Sequence, residues 1–176
     1  NFSYMVGLST NVFCGSHNLI KLVNSIKTNK ALFIPTAVKL ENYNPIDKKN
    51  SKICIGWVGN GRHYQEDLIQ LLVEPLKILS QQHQIRFKLV GACAVESLYR
   101  VFSTIKNLEL DFIDELNWSG DDVVGLALSD VDIGVYPLLN NDFNSLKCGF
   151  KALEYMAMKI PVVSSPITVN KEIVLD

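Results

Sequence analysis

Hydrophobic positions fall along this chain in two rhythms. From residue 52 onward, short apolar runs alternate with longer stretches whose apolar residues recur every three or four positions. The runs Lys52–Val58, Ile85–Val90, Leu108–Phe112, Val131–Tyr136 and Pro161–Ser164 predict strands. Between them, Leu68, Ile69, Leu71, Leu72, Leu76 and Leu79 mark a helix that Pro75 should kink or restart. Helices are also expected over Ala94–Ile105, Asp121–Ser129 and Leu146–Met158, with another opening at Asn170. The first fifty residues are less regular. Tyr4–Phe13 reads as a strand, and Ser16 is a good N-cap for a helix from about His17 to Lys27. Ala31–Ile34 reads as a short strand ended by Pro35, and Thr36–Ser51 as a polar linker.

Strands apolar on both faces and separated by helices imply a parallel sheet covered on both sides. Right-handed crossovers then give a doubly wound, Rossmann-like α/β fold. Such sheets take ligands beyond the carboxyl ends of their strands, which directs attention to the loops after Val58, Val90, Phe112 and Tyr136. A chain of 176 residues can bury one sizeable core. Its net charge of −1, with Lys and Arg scattered, argues against a nucleic-acid partner. No apolar run is long enough for a transmembrane helix. Cys14, Cys54, Cys93 and Cys148 are far apart and lack metal-ligand spacing, which suits reduced thiols in a cytoplasmic setting. The start at Asn1 and the stop just inside a helix suggest an excised domain.

Two clusters could carry chemistry. The loop Gly59-Asn60-Gly61 joins a strand to a helix, so its glycines would let a phosphate approach the amides of the helix N-terminus. A tight turn requiring positive φ explains the same glycines. Arg62 could add a charge-assisted contact to a diphosphate, or be an ordinary surface arginine, as could His63. The second cluster runs from Asp132-Ile-Gly-Val-Tyr136-Pro137-Leu138 through Lys147-Cys148-Gly149-Phe150-Lys151-Ala152-Leu153-Glu154-Tyr155-Met156 to Pro161-Val162-Val163-Ser164.

This second cluster resembles the carboxyl-terminal, nucleotide-sugar-binding domain of the retaining GT-B glycosyltransferases, family 4-like (glycosyl transferases group 1). Ile55-Gly56-Trp57-Val58-Gly59 and Phe33-Ile34-Pro35-Thr36 with Tyr43 resemble further stretches of the same family, in the same order. The resemblance implies that residues 1–50 close an amino-terminal domain or form an interdomain segment. Residues 51–176 would be the donor-binding domain, truncated at its carboxyl end. It also implies that Glu154 holds the donor ribose. The family's other glutamate falls at position 146, where this chain has Leu146, so the usual contact to the donor sugar lacks its residue. The family's usual phosphate-binding Arg and Lys are replaced by Asn60 and by Gln65 or Glu66, which shifts that task to Arg62 and Lys147. Trp118 sits where the base-binding loop is expected, and Tyr136 should shape the donor pocket. Asp132 reads as structural, closing a strand start near the site.

The resulting expectation is transfer of a sugar from a nucleoside-diphosphate sugar without a metal or other cofactor. The acceptor, a carbohydrate or a lipid-linked one, would be held by an amino-terminal domain, and the full enzyme could lie peripheral to a membrane. The rival readings are a non-catalytic nucleotide-sugar-binding or partner-interaction module and a GT-B-like epimerase. A phosphoryl-accepting signalling domain is disfavoured, because acidic residues do not cluster at the strand ends.

Overall fold

The structure, a computed structural model, describes residues 1–28, 30–47, 51–117 and 120–174. They divide into two compact units. The first comprises residues 1–37, 140–150 and 166–176; the second comprises 38–139 and 151–165. The segment around Tyr43, expected as linker, thus groups with the second unit. There Tyr43 packs against the apolar cluster of Cys54, Leu128, Val131 and Tyr155.

In the first unit, helix α1 (Phe2–Leu8) precedes strand β1 (Val12–Cys14), helix α2 (His17–Ile26) and strand β2 (Ala31–Phe33). The two strands pair in parallel, with Val12 opposite Ala31. Ser16 caps α2 as expected, its hydroxyl accepting the Leu19 N–H at 3.2 Å. The expected strand over Tyr4–Phe13 is instead a helix followed by a shorter strand. An apolar run of this length does not distinguish the two by periodicity. Local capping favours the helix, because the Asn1 side chain accepts the Ser3 N–H. Further along, the unit contains the short helix α6 (Asp142–Ser145), and α8 (Asn170–Ile173) lies near its end.

The second unit holds a five-stranded parallel sheet of β3 (Ile53–Val58), β4 (Ile85–Val90), β5 (Leu108–Ile113), β6 (Ile133–Tyr136) and β7 (Val162–Ser164). Their order is β5-β4-β3-β6-β7, so the chain builds outward from β3 in one direction and then returns to build in the other. This is the doubly wound arrangement, and its topological switch point lies between β3 and β6. One face, with Ile55, Trp57, Phe87 and Leu89, packs against α3 (Gly61–Gln82) and α4 (Glu96–Phe102). The other packs Cys54, Val58 and Val90 against α5 (Val123–Leu128) and the second-unit part of α7 (Phe150–Ala157).

Three expectations need correction. Helix α3 does not restart at Pro75 but continues through it. A proline inside a helix costs about 3 kcal/mol. Burying Leu68, Leu72 and Leu76 one turn apart, at about 1.5–3 kcal/mol each, outweighs that. The helix expected over Leu146–Met158 starts only at Phe150, as α7, because Gly149 at φ +74° lies in the left-handed region that a helix cannot contain; the separate α6 has already ended at Ser145. Finally, the strands are not all apolar on both faces. Strand β4 turns Arg86 and Lys88 to the α5 side, where they meet Asp130 and Asp111.

Candidate functional site

The switch point is held open by one side chain. Strands β3 and β6 pair only at Ile55 with Ile133 and at Gly56 with Gly134. Beyond those pairs the fully buried Tyr155 hydroxyl sits between the strands. It accepts the Val58 N–H at 3.2 Å and lies 3.2–3.3 Å from the carbonyls of Val135 and Gly56, which share its proton. The strands therefore diverge toward their carboxyl ends without stranding backbone groups, and a crevice opens there.

On one side of the crevice, the Gly59-Asn60-Gly61 loop leads into α3. Asn60 is the N-cap, its side chain accepting the His63 N–H at 3.3 Å, and His63 itself is exposed. The amides of Gly59 and Gly61 are already committed, donating to the Val90 and Gly91 carbonyls at 2.9 and 2.7 Å. Neither glycine has positive φ; that belongs to their neighbour Gly91, at +87°. The glycines are needed because two loops touch along their backbones. A Cβ on Gly91 would lie 1.8 Å from the Gly59 carbonyl oxygen, and one on Gly61 would lie 2.8 Å from that of Gly91. Arg62 is exposed and makes one long contact, 3.4 Å, to the Cys93 carbonyl. A cavity of about 460 Å³ adjoins this loop, lined by Val58, Gly59, Asn60, Gly91, Cys93 and Asp114. Asp114 braces its rim, accepting from the Ala94 N–H at 2.6 Å and the Tyr99 hydroxyl at 2.9 Å.

On the other side, β6 ends at the buried Tyr136. The loop after it is pinned by two acceptors: Ser165 Oγ takes the Leu138 N–H at 2.8 Å, and the buried Asp67 takes the Leu139 N–H at 2.7 Å. Glu154 is only 6% exposed, not the solvated helix carboxylate that its position alone would suggest. The Tyr43 hydroxyl donates to its Oε1 at 3.0 Å. Burial holds the Glu154 carboxyl above the ordinary glutamate value, outweighing the Tyr43 hydrogen bond and the Lys151 charge, which act downward.

Gly59, Asn60, Gly61, Arg62, Tyr136 and Glu154 all belong to the second unit; the first five lie at or just beyond the carboxyl ends of β3 and β6, and Glu154 lies on α7. Lys147 belongs to the first unit, where its ammonium lies 5.0 Å from the Phe143 ring centroid. It precedes α7 by three residues and does not open that helix. Trp118 lies outside the described residues. Asp132 is structural as expected, but at the other end of the sheet: its carboxylate accepts the Cys54 N–H at 2.8 Å at the start of β3. Sequence reasoning named Tyr43 and Lys151 only as parts of the resemblance, without a place in the site, and overlooked Asp67 and Ser165. Lys151, one turn before Glu154 on the same helix, carried a signal that could have placed it there.

Residues 52–176 match the family model for glycosyl transferases group 1, and the chain belongs to that family. Among solved structures it is similar to TarM at 15% identity and a TM-score of 0.68, over 99% of this chain and 34% of TarM. It thus spans about a third of that protein's length. MurG of Acinetobacter baumannii is similar at 12% identity and a TM-score of 0.45, over 92% of this chain and 55% of MurG. No curated protein matches the chain. The parallel sheet flanked by helices is the Rossmann-like half of the GT-B architecture. Among the described residues, no helix is long and apolar enough to cross a membrane.

Proposed function

We propose that this chain binds the nucleoside-diphosphate-sugar donor of a retaining glycosyltransferase, in the crevice between the carboxyl ends of β3 and β6. One observation carries the reading. Glu154, a carboxylate that is costly to bury, is kept beside that crevice with a single phenol bonded to one of its oxygens. A ribose offers two vicinal hydroxyls to such a carboxylate. The cavity beside Gly59 and Asp114 suits the nucleoside, with Tyr136 assigned to the donor pocket and Trp118 to the base on sequence alone. Arg62 would neutralise charge that develops on the departing diphosphate, a role also assigned to Lys147 from sequence. Protein cations, not a metal ion, would do this work. The committed Gly59 and Gly61 amides shape the loop and leave the electrostatic task to side chains.

The acceptor, carbohydrate or lipid-linked, and the remaining chemistry are assigned to a partner domain of a longer enzyme, working in the reducing cytoplasm or at the membrane surface. The chain alone should therefore transfer no sugar. Thermal-shift and calorimetric titration with UDP, GDP and ADP, each against its nucleoside, tests the reading. One diphosphate should stabilise the chain with micromolar to millimolar affinity, and no binding by any of the three would refute it.

A further inference from the structure

We infer that Lys151 is the cation that meets the donor diphosphate, held over the glycine loop by a cage of three aromatic rings. The inference rests on the donor-binding reading above and adds a residue to it. Its first support is steric. An ideal Cβ on Gly59 would lie 2.7 Å from Lys151 Cε and equally close to the Trp57 ring, so the glycine at that position makes room for the lysine stem and the ring it rests on. The second is where the charge is held. Lys151 Nζ lies 4.3 Å from the ring centroid of Tyr64, 5.4 Å from that of Tyr136 and 5.7 Å from that of Trp57. Those rings come from α3, β6 and β3, the elements that border the switch-point crevice. Aromatic faces attract an ammonium by about 0.5–2 kcal/mol.

The third support is position on the helix. Lys151 is the second residue of α7, where a cation opposes the helix dipole by about 0.3–1 kcal/mol. A bound anion reverses that sign, since the ammonium and the helix end would then act on it together. Glu154 lies one turn further along the same helix, and side chains three residues apart are neighbours, with Cβ atoms about 5–6 Å apart. A carboxylate for the ribose and an ammonium for the adjoining phosphates then stand in the order that a nucleoside diphosphate presents them. The arrangement also distinguishes Lys151 from Arg62, whose guanidinium is exposed and turned to the Cys93 carbonyl.

The test is calorimetry on the 176-residue chain with UDP, GDP and ADP, their nucleosides and inorganic pyrophosphate, comparing the parent with Lys151→Met and Lys151→Arg. With the diphosphate that the parent binds, Lys151→Met should lose tenfold or more in affinity. Lys151→Arg should stay within about threefold, and the nucleoside should bind all three proteins alike. Thermal melting of each variant reports whether the aromatic cage still folds, and Lys151→Gln, equally uncharged, takes the place of the methionine variant if that one does not. Should the parent bind none of the diphosphates, the donor-binding reading itself fails and this inference with it. Should the parent bind while both variants match it, only the Lys151 assignment fails. Equal losses for nucleoside and diphosphate would make Lys151 a packing residue of the cage and overturn the inference.

Discussion

The two ends of the five-stranded sheet treat charge in opposite ways. In its amino-terminal half, Arg86, Lys88, Asp111, Asp130 and Asp132 each have a partner close by. Arg86 reaches Asp130 at 2.6 Å and Asp111 at 3.0 Å, Lys88 reaches Asp130 at 2.7 Å, and Asp132 takes a backbone N–H. Burial raises the Asp130 carboxyl, yet the hydrogen bonds from Lys88 and Arg86 more than reverse this and hold it below the usual aspartate value. At the carboxyl end, polar groups are held in ways that cost stability: Glu154 is buried with its carboxyl raised, and the Trp57 indole N–H is buried without a hydrogen bond. Satisfied charges specify a structure, whereas charges left short of full compensation are available to a ligand.

Breaking the satisfied end should give the largest effect. Asp130→Asn removes the common partner of Arg86 and the nearly buried Lys88, and losing one member of such a cluster costs about 3–5 kcal/mol. Chemical denaturation should show that loss, while nucleotide affinity of the protein that remains folded should not change. If affinity falls in step with stability, the two ends are not separable.

Glu154→Gln should act in the reverse sense. A carboxyl raised in the fold contributes its stability below the unfolded value of 4.5 and loses it as pH climbs through the raised value. Glutamine does not titrate, so the variant should melt higher than the parent at pH 8, with the gap closing toward pH 4. Each kcal/mol appears as about 2–4 °C for a chain of this size. The same variant should lose about 1.5–3 kcal/mol in diphosphate binding, the range for hydrogen bonds to a charged group. A variant destabilised at every pH would show that Glu154 is a structural carboxylate.

The contrast between the ends also explains what could be read in the sequence. Strand β4, Ile85–Val90, and the central β3 are legible because apolar runs bounded by glycine and polar residues have few alternatives. Glu154 and the glycine loop are legible as motifs, since they lie close together along the chain. The ion cluster was not, because Arg86, Asp111 and Asp130 are brought together by strand order, and their spacing along the chain holds no trace of it. Tyr43 meets Glu154 across 111 positions, and Asp67 meets the Leu139 amide across 72, so neither contact has a local signature. The missed break before α7 is different in kind. A glycine inside an apolar helical pattern is tolerated in most helices, and only its φ of +74° reveals the turn.

A milder variant probes how Glu154 is held. Tyr43→Phe removes the one hydroxyl bonded to its carboxylate and leaves the ring in the cluster around Cys54 and Tyr155. The hydrogen bond itself contributes about 1 kcal/mol. Diphosphate and nucleoside affinities should fall together, by about fivefold, because the phenol would orient a ribose ligand and not a phosphate ligand. A loss confined to the diphosphate would place Tyr43 on the phosphate side of the crevice instead.

Arg62→Ala should give the smallest change, and its dependence on salt carries the information. The guanidinium is exposed, and its single contact at 3.4 Å is too long to stabilise the fold, so melting should move by no more than about 0.5 kcal/mol in equivalent terms. If Arg62 neutralises a bound diphosphate from solvent, it does so through water and its effect is screened. The Debye length is about 30 Å at 0.01 M salt and about 8 Å at 0.15 M. The variant should therefore bind the diphosphate about threefold more weakly at low salt and nearly as well as the parent at physiological salt. Lys151, half-buried on its rings, should show a loss that changes little over the same range. Titrations at the two salt concentrations thus separate a charge that attracts the ligand from one that touches it. A salt-independent tenfold loss for Arg62→Ala would mean that the side chain leaves the Cys93 carbonyl and binds phosphate directly, and the ranking of the two cations would have to be reversed.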